Sequence, residues 1–240
     1  MKKKMKVLLI IPAYNEEDNI LRTYNDIVSY NIKNKTNYDC IIINDGSKDN
    51  TGKILDDNDI PHIDLIHNLG IGGAVQTGYK YAFYHDYDIA VQYDGDGQHD
   101  VNYVEKVIYP IIKDEADFVI GSRFVGNISK FKTSGARRFG IKVISFFIKL
   151  VSKLKVYDTT SGFRACNKEI ISHFANDYPV EYPEPITTVE IKKKNYRIKE
   201  VAVNMKERSG GTSSIHTWKN LYYMINVCLS IIVVGFRRYK

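Results

Sequence analysis

Two patterns of apolar residues alternate along the first half of the chain. Short apolar runs rich in β-branched side chains predict buried strands, whereas longer segments with an apolar residue every three or four positions predict helices. The predicted strands cover residues 7–11, 39–43, 63–66, 89–93 and 118–120. The predicted helices cover residues 15–30, 49–56, 72–85 and 101–112. Because strands and helices alternate, we expect an α/β fold with a mostly parallel sheet and helices on both of its faces.

The second half of the chain has a less regular pattern. Residues 140–154 predict an amphipathic helix, which fits either a membrane surface or a partly buried packing position. Residues 196–205 predict a strand, and residues 209–214 predict a loop of small side chains. This half therefore does not repeat the strand–helix alternation of the first.

The C-terminal segment is apolar and ends on basic residues. Residues 221–236 carry no charge, and Arg237, Arg238 and Lys240 follow them. A helix needs about 17–25 apolar residues to cross a bilayer, and this segment is just shorter. Three arrangements stay open: a helix on the membrane surface, a short span, and a helix packed on the protein. We divide the chain into a main domain, residues 1–214, and a C-terminal apolar helix, residues 215–240.

The chain is basic and poor in cysteine. Its 240 residues fit one domain with an appended tail, and their formal net charge of +6 suits phosphorylated small molecules or anionic lipid. No nucleic-acid-binding signature accompanies this charge, so we expect no nucleic-acid partner. The three cysteines match no zinc or redox spacing, and the apolar run near the N-terminus is too short for an export signal. These features predict a cytoplasmic protein.

Polar residues follow each of the first four predicted strands. They are residues 12–16, Asp45, residues 68–73 and residues 94–98. In open parallel sheets ligands bind beyond the carboxyl ends of the strands. We therefore expect these four turns to meet in one binding site.

Asp94 and Asp96 are the central candidates of this site. Two carboxylates two residues apart after a buried strand could hold Mg²⁺ or Mn²⁺, which prefer oxygen ligands, and Gln98 could add an amide oxygen. Such a metal would neutralise the charge on a departing diphosphate. The alternative is a solvated Asp-Gly turn.

The other turns offer groups for a nucleotide. Tyr14 supplies a ring that could pack on a base, while Glu16 and Asp45 could accept hydrogen bonds from a base or ribose. A helix that starts with Asn15 as its cap is a second interpretation of the first turn, and a turn or cap is a second interpretation of Asp45. Three glycines before the third predicted helix resemble a loose phosphate cradle: Gly70, Gly72 and Gly73.

Five motifs occur in order and carry a family resemblance. They are Pro12-Ala13-Tyr14-Asn15-Glu16, Asn44-Asp45-Gly46-Ser47, Asn68-Leu69-Gly70, Asp94-Gly95-Asp96-Gly97-Gln98-His99 and Gly121-Ser122-Arg123. Over residues 6–214 the chain resembles the family 2 glycosyltransferases of the GT-A fold, a Rossmann-like fold. Within that family it is most similar to the polyprenyl-phosphate glycosyltransferases of the dolichyl-phosphate mannose synthase type. Residues 158–164 and the pattern Glu207-Arg208-x-x-Gly211 carry the closer resemblance.

The resemblance implies a role for each matching position. The nucleotide-sugar donor would be bound by Pro12, Ala13, Tyr14, Glu16, Asp45, Gly73, Asp94 and Gly95. The metal would be held by Asp94, Asp96 and Gln98. The residues closest to the chemistry would be Asp94, Asp96, Arg123 and Arg208. The acceptor phosphate would be met by Arg123, Arg137, Arg138, Ser161, Arg164 and Arg208. The sequence does not distinguish which of Arg137 and Arg138 faces the site.

The expected reaction is an inverting transfer of one sugar from a UDP- or GDP-sugar to a polyprenyl phosphate at the inner face of the cell membrane. A phosphate acceptor is already anionic, so it needs arginines rather than a general base. A sugar acceptor needs a base, and no Glu-Asp pair stands where saccharide-extending relatives have one. Glu184 could still serve, so extension of a cell-wall or capsular saccharide stays an alternative. An inactive nucleotide-sugar-binding scaffold is a further one. The short tail also leaves room for a small membrane-protein partner.

Overall fold

The computed structural model describes residues 5–126, 135–205 and 217–237, and within residues 217–237 it describes side chains from position 223 onward. One seven-stranded sheet runs through it, in the order β3-β2-β1-β4-β6-β5-β7. The strands are β1 (Val7–Ala13), β2 (Tyr38–Asn44), β3 (His62–Asp64), β4 (Ile89–Gln92), β5 (Phe118–Ser122), β6 (Arg164–Asn167) and β7 (Ile198–Ala202). Only β6 is antiparallel, to both β4 and β5, and every other pair is parallel. The mostly parallel sheet predicted from the sequence is confirmed.

Helices surround the sheet on both faces. They are α1 (Ile20–Asn34), α2 (Thr51–Asp57), α3 (Gly70–Tyr84), α4 (Val104–Ile112), α5 (Gly135–Ser152), α6 (Lys168–Asn176), α7 (Pro183–Lys193) and α8 (Thr217–Phe236). A short 3₁₀ turn, Val101–Tyr103, precedes α4. The sequence pattern did not predict β6, α6 or α7. Helix α7 buries threonine, proline and glutamate as well as apolar side chains, so it shows no apolar stripe.

The alternation of side chains along β1 divides the core into two clusters. Val7, Leu9 and Ile11 pack with residues of α1, α2 and α4 on one face of the sheet. Leu8 and Ile10 pack with residues of α3, α5, α6, α7 and α8 on the other. All five of these side chains are buried, which explains why residues 7–11 form a continuous apolar run in the sequence.

The first helix begins later than the sequence predicted. Asn15 lies in the left-handed region with φ of 55°, a conformation that cannot continue into a helix. The backbone N–H groups of Asn19 and Ile20 both bond to the carbonyl of Glu16 at 2.9 Å, which forms a turn before α1. The cap position is therefore Asn19, and the interpretation of Asn15 as the cap is wrong.

The C-terminal helix packs on the body of the protein. Val227 and Ile231 of α8 are buried in the same cluster as Ile144 and Ile148 of α5. In the described part of the chain, no helix combines the length and the apolar character of a membrane span. The proposed boundary at residue 214 and the small-residue loop, 209–214, lie outside the described residues.

Candidate functional site

A cleft of about 350 Å³ opens at the carboxyl ends of β1, β2 and β4, beside the start of α3. It is lined by Pro12, Ala13, Tyr14, Glu16, Asp45, Asn68, Gly70, Ile71, Ala74, Asp94, Gly95 and Asp96. The four polar turns therefore meet as expected. Of the predicted donor-binding residues, all but Gly73 line the cleft, and of the predicted metal ligands only Gln98 does not.

Asp45 forms the wall of the cleft after β2. Its backbone N–H donates to the carbonyl of Ala13 at 2.8 Å, which joins the ends of β2 and β1. Its Oδ1 accepts the backbone N–H of Leu69 at 2.7 Å, and the side chain of Asn68 donates to its carbonyl at 3.1 Å. The carboxylate thus fixes the loop before α3 while it borders the cleft.

Tyr14 and Glu16 form the wall after β1. Tyr14 is 43% exposed and lines the cleft, so its side chain is accessible to a ligand there. Glu16 is buried, with its backbone N–H on Thr51 Oγ1 at 2.9 Å and its Oε2 accepting from the Asn19 side chain at 3.0 Å. A carboxylate is therefore presented at a fixed position at the base of the cleft.

The first turn of α3 closes the side of the cleft with Gly70, Ile71 and Ala74. The first N–H groups of a helix have no partner within the helix, and they favour an anion. Gly73 lies one position away from this wall, where an added Cβ would meet the side chain of Leu69. Gly73 therefore supports close packing of the helix start rather than bordering the cleft.

Asp94 and Asp96 stand beyond the end of β4 and both border the cleft. The side chain of Asp94 is 33% exposed. Asp96 Oδ1 accepts the backbone N–H of Gln98 at 3.0 Å, so the turn holds this carboxylate in place. A Cβ on Gly95 would lie 3.0 Å from the carbonyl of Pro12, and the small residue lets the two turns approach.

Three groups support the Asp94 carboxylate from behind. His99 Nε2 lies 3.0 Å from Oδ2, Gln92 donates to Oδ1 at 3.5 Å, and a Cβ on Gly162 would lie 2.6 Å from Oδ2. Burial alone would raise the pKa of Asp94. The charge of His99, the hydrogen bonds from His99 and Gln92 and the charge of Arg123 outweigh it, so this pKa lies below its ordinary value. Asp94 is therefore ionised at neutral pH.

The carboxylate oxygens at this end of the cleft suit a divalent metal that prefers oxygen ligands, such as Mg²⁺ or Mn²⁺. Asp94 and Asp96 supply carboxylate oxygens, and the lowered pKa of Asp94 favours the form that binds a cation. Among the described residues no group of three His, Cys, Asp or Glu side chains gathers around a common point. A metal here would need further oxygen ligands from a diphosphate or water.

Arg123 follows β5 and is paired inside the protein. Its Nε and Nη2 donate to the two oxygens of Asp158 at 2.7 Å each, and its Nη2 also donates to Thr160 Oγ1 at 3.0 Å. The guanidinium is 7% exposed and the Asp158 carboxylate is fully buried. Arg123 thus joins the 158–162 loop to the end of β5. Its charge also helps to lower the pKa of Asp94.

Ser161 and Arg164 are buried below the site. Ser161 donates to the carbonyl of Gly121 at 2.6 Å. Arg164 donates to the carbonyls of Ser161 and Glu184 and to the hydroxyl of Thr187. The sequence predicted that both meet an acceptor phosphate. In the structure Ser161 Oγ and the Nε and Nη1 of Arg164 donate to the protein, whereas Arg164 Nη2 has no hydrogen-bond partner among the described residues, so this role stays a prediction. The two side chains hold the loop that carries Gly162 against Asp94.

The remaining predicted acceptor residues are only partly described. The start of α5 carries Arg138, whose side chain is exposed. The side chain of Arg137 and the whole of Arg208 lie outside the described residues. Their role stays a prediction.

Comparison with known proteins agrees with this architecture. The family model described as "Glycosyl transferase family 2" matches residues 8–174, more than half of the chain. This chain belongs to glycosyl transferase family 2. It is therefore an enzyme, a glycosyltransferase, and the resemblance drawn from its motifs is confirmed.

Similar family 2 proteins include enzymes named for lipid-phosphate acceptors. The UDP-N-acetylglucosamine–dolichyl-phosphate N-acetylglucosaminyltransferase of Methanococcus voltae is 38% identical over 183 residues, which cover 69% of this chain and 70% of that one. The undecaprenyl-phosphate mannosyltransferase of Micrococcus luteus is 28% identical, and the match covers 88% of each chain.

Solved structures support the GT-A fold of this family 2 glycosyltransferase. Glucosyl-3-phosphoglycerate synthase from Mycobacterium tuberculosis, in complex with Mn²⁺, UDP and glucosyl-3-phosphoglycerate, superposes with a TM-score of 0.72. The match covers 98% of this chain and 82% of that one at 14% identity.

Glu184 of this glycosyltransferase lies in a helix, close enough to Asp94 for the two charges to interact. It is in the first turn of α7, where its carbonyl accepts a hydrogen bond from Arg164. Burial raises the pKa of the Glu184 carboxyl, the positive charge of Arg164 opposes that rise, and the negative charge of Asp94 adds to it. A hydrogen bond from Gln92 to the carboxylate also favours the ionised form.

Sequence reasoning missed the residues that support the site from behind. His99 stood inside the motif around Asp94 but received no role, and Gln92 is a polar residue at the end of an otherwise apolar strand. Both signals were readable. Gly162 was different, because only the antiparallel placement of β6 brings it to Asp94.

Proposed function

We propose that this glycosyltransferase moves one sugar from a nucleotide-diphosphate donor, a UDP- or GDP-sugar, to a polyprenyl phosphate, with inversion at the anomeric carbon. The observation that carries the proposal is the meeting of Asp94 and Asp96 with Tyr14, Glu16 and Asp45 in one cleft. Carboxylates could hold a metal at the diphosphate, and an aromatic ring could pack on the base of a nucleotide. The lipid-phosphate acceptors of the relatives named above support the acceptor class.

The nucleoside would lie at the β1–β2 end of the cleft. The ring of Tyr14 would pack on the base, and the carboxylates of Asp45 and Glu16 would accept hydrogen bonds from base or ribose N–H and O–H groups. The N–H of Leu69 already holds the Asp45 side chain in place, so little conformational entropy is lost there when the donor binds.

The diphosphate would lie between α3 and the carboxylate pair. Asp94 and Asp96 would hold Mg²⁺ or Mn²⁺, which neutralises charge on the leaving diphosphate when bound. The start of α3 would add partial positive charge from its N–H groups. Gln98 stays a proposed ligand, and its backbone N–H donates to Asp96 Oδ1 at 3.0 Å.

The acceptor phosphate oxygen would attack the anomeric carbon directly. The new bond forms between that oxygen and the carbon, the bond from the carbon to the diphosphate breaks, and a nucleoside diphosphate leaves. No proton has to be removed, because the attacking phosphate is already anionic. Arg137, Arg138 and Arg208 are the proposed cations that collect it. Arg123 would act by positioning the 158–162 loop through Asp158.

The proposed location is the inner face of the cell membrane, where a polyprenyl phosphate is reached from the cytoplasm. The enzyme would be peripheral, and a small membrane protein could serve as an additional anchor.

A second candidate function rests on Glu184. Its carboxylate stands near Asp94, and a base at that position could deprotonate a sugar hydroxyl. The enzyme would then extend a cell-wall or capsular saccharide with the same donor site. We favour the lipid phosphate because the Glu184 carboxylate already interacts with a hydrogen bond from Gln92 and with the charge of Arg164.

The test is release of nucleoside diphosphate from a panel of UDP- and GDP-sugars. Each donor is assayed with Mg²⁺ or Mn²⁺, with and without undecaprenyl phosphate, and the lipid phase is analysed for product. Lipid-dependent release with a glycolipid product is expected. Release that requires an oligosaccharide and ignores the lipid would replace the first function by the second.

A further inference from the structure

Helices α5 and α8 lie side by side and run in the same direction. A Cβ on Gly140 of α5 would lie 3.3 Å from Met224 Sδ, and a Cβ on Gly235 of α8 would meet the side chain of Val151. The two contacts are eleven residues apart on each helix, with the earlier residues together and the later residues together. The glycines let the two backbones approach closely along this length.

Each of the two helices buries one side in the same core cluster. Ile144 and Ile148 enter it from α5, and Val227 and Ile231 enter it from α8. Because both buried sides point into one cluster, the opposite sides of the two helices point away from the protein together.

Those opposite sides are also apolar. Seven large apolar side chains on them are each more than half exposed: Phe139, Phe146 and Leu150 on α5, and Ile225, Leu229, Val233 and Phe236 on α8. We call this set the apolar face. Since α5 rises about 1.5 Å per residue, its part of the face is about 17 Å long. Contiguous exposed apolar surface of this kind marks an interaction site.

The exposed charges of α5 are all cations, whereas a groove lined by Leu229 and Val233 of α8 also contains Asp177, Glu181 and Glu190. Arg138, Lys142, Lys149 and Lys153 are exposed along one flank of α5 or just after it. Neither α5 nor α8 contains an aspartate or glutamate. An apolar stripe flanked by cations complements a bilayer surface that holds anionic headgroups.

We propose that the apolar face docks flat on an anionic phospholipid surface, with the row of cations against the headgroups. This docking surface rests on the proposed function, because a polyprenyl-phosphate acceptor would lie in a membrane. The contact would be interfacial, since no described helix is a candidate span.

The experiment is co-sedimentation of the full chain with vesicles. One set consists of phosphatidylcholine alone, and the other contains phosphatidylglycerol as well; neither contains polyprenyl phosphate or donor. Wild type is expected to prefer the anionic vesicles. The double variant Phe146→Asp/Val233→Asp is expected to lower the partition coefficient about tenfold or more, because it places two charges in the buried apolar layer.

Two further variants separate the contributions. Ile32→Asp/Tyr84→Asp changes two exposed side chains on α1 and α3 and should bind vesicles like wild type. Lys142→Gln/Lys149→Gln should reduce the preference for anionic vesicles while weaker binding to neutral ones persists. Circular dichroism and thermal melting of each variant check that the fold is kept.

Three results would overturn the docking surface. They are wild type that binds neither vesicle, a Phe146→Asp/Val233→Asp variant that binds like wild type, and a control pair that loses as much binding. A wild-type dimer that this double variant dissociates in analytical ultracentrifugation would assign the face to a second copy instead. Since the vesicles lack acceptor and donor, failure of the transferase assay would leave these outcomes untouched.

Discussion

His99 Nε2 lies 3.0 Å from Oδ2 of Asp94, and its ring stacks on Phe163 with centroids 4.8 Å apart. The hydroxyl of Tyr93 donates to the His99 carbonyl at 2.8 Å, so both the backbone and the ring of this histidine are fixed. The imidazole is 4% exposed, and its Nδ1 has no hydrogen-bond partner in the described part of the chain. Its one polar contact through the ring is therefore directed at the proposed metal ligand.

Removing this imidazole should weaken metal use. We expect His99→Leu to raise the Mn²⁺ concentration needed for half-maximal transfer by about tenfold or more, because Asp94 loses the group that orients it. At saturating Mn²⁺ much of kcat should return. His99→Gln, whose amide N–H can replace the Nε2 donor, should lie between wild type and His99→Leu.

The control for this prediction is His85→Ala, which removes an exposed imidazole on the far end of α3 and should leave the Mn²⁺ titration unchanged. Identical titration curves for His99→Leu and wild type would show that the Asp94 contact has no part in metal binding.

Gly162 leaves no room for a side chain next to Asp94. A Cβ would lie 2.6 Å from Oδ2 and 2.9 Å from Oδ1, so Gly162→Ala must displace the carboxylate. We expect transfer to fall at least about tenfold and the metal concentration needed for activity to rise, because the Asp94 carboxylate would no longer be held in position to bind the metal. Gly135→Ala, at a position where a Cβ meets nothing within 4 Å, should retain wild-type transfer. Equal activity of the two variants would contradict the contact.

Asp96→Ala should abolish transfer without unfolding the protein. Its carboxylate borders the cleft, and loss of a charge that acts on the leaving diphosphate should cost at least about 10²-fold in kcat. The matched control is Asp100→Ala, which removes the cap of the 3₁₀ turn nearby and should cost about 1 kcal/mol of stability with transfer retained. Near-normal turnover of Asp96→Ala would sink the metal assignment.

Glu184→Gln distinguishes the two proposed acceptors. The amide keeps the shape of the side chain but cannot act as a base. With a polyprenyl phosphate as acceptor we expect kcat close to that of wild type. If Glu184 is the base for a sugar hydroxyl, its replacement should lower kcat by about 10²–10⁴-fold. Glu181→Gln, at an exposed neighbour, is the control. A large loss in Glu184→Gln alone, measured with a saccharide acceptor, would favour the second function.

The Arg123–Asp158 pair should be a structural requirement. Asp158→Ala leaves the guanidinium of Arg123 buried without its bidentate partner, and we expect a loss of about 3–5 kcal/mol in the free energy of unfolding, measured in urea. Asp86→Asn breaks an ion pair with Lys168 that is largely exposed, so it should leave stability almost unchanged. A similarly small effect for Asp158→Ala would mean that the buried pair relaxes into solvent.

The donor end of the site was predictable because its residues follow strands in which apolar side chains predominate. Such strands are recognised by composition, and the turn after each is placed by the rule for parallel sheets. Asp45 and Asp94 were located in this way, and both border the cleft. Asn15 was misplaced as a cap because a positive φ cannot be read from residue type alone.

The acceptor side was less predictable for a physical reason. Arginine and serine suit a phosphate, but they equally suit buried carbonyls, and sequence does not say which partner wins. Arg164 satisfies the carbonyl of Glu184 and the hydroxyl of Thr187 in the interior. Helix α7, which supplies those partners, has no apolar stripe and was not predicted.

The antiparallel strand β6 has a consequence for the order in which the enzyme is made. In the described sheet β5 pairs only with β6 and β7, and β6 is what joins it to β4. When the ribosome has released the chain as far as β5, it has therefore released β1 to β4 and both proposed metal-binding aspartates, while β5 still lacks an adjacent strand. The nascent enzyme acquires Gly162 behind Asp94 only after some forty further residues emerge, at about 5–20 residues per second. During that interval β5 exposes unpaired backbone N–H and C=O groups, through which a strand of another chain can pair.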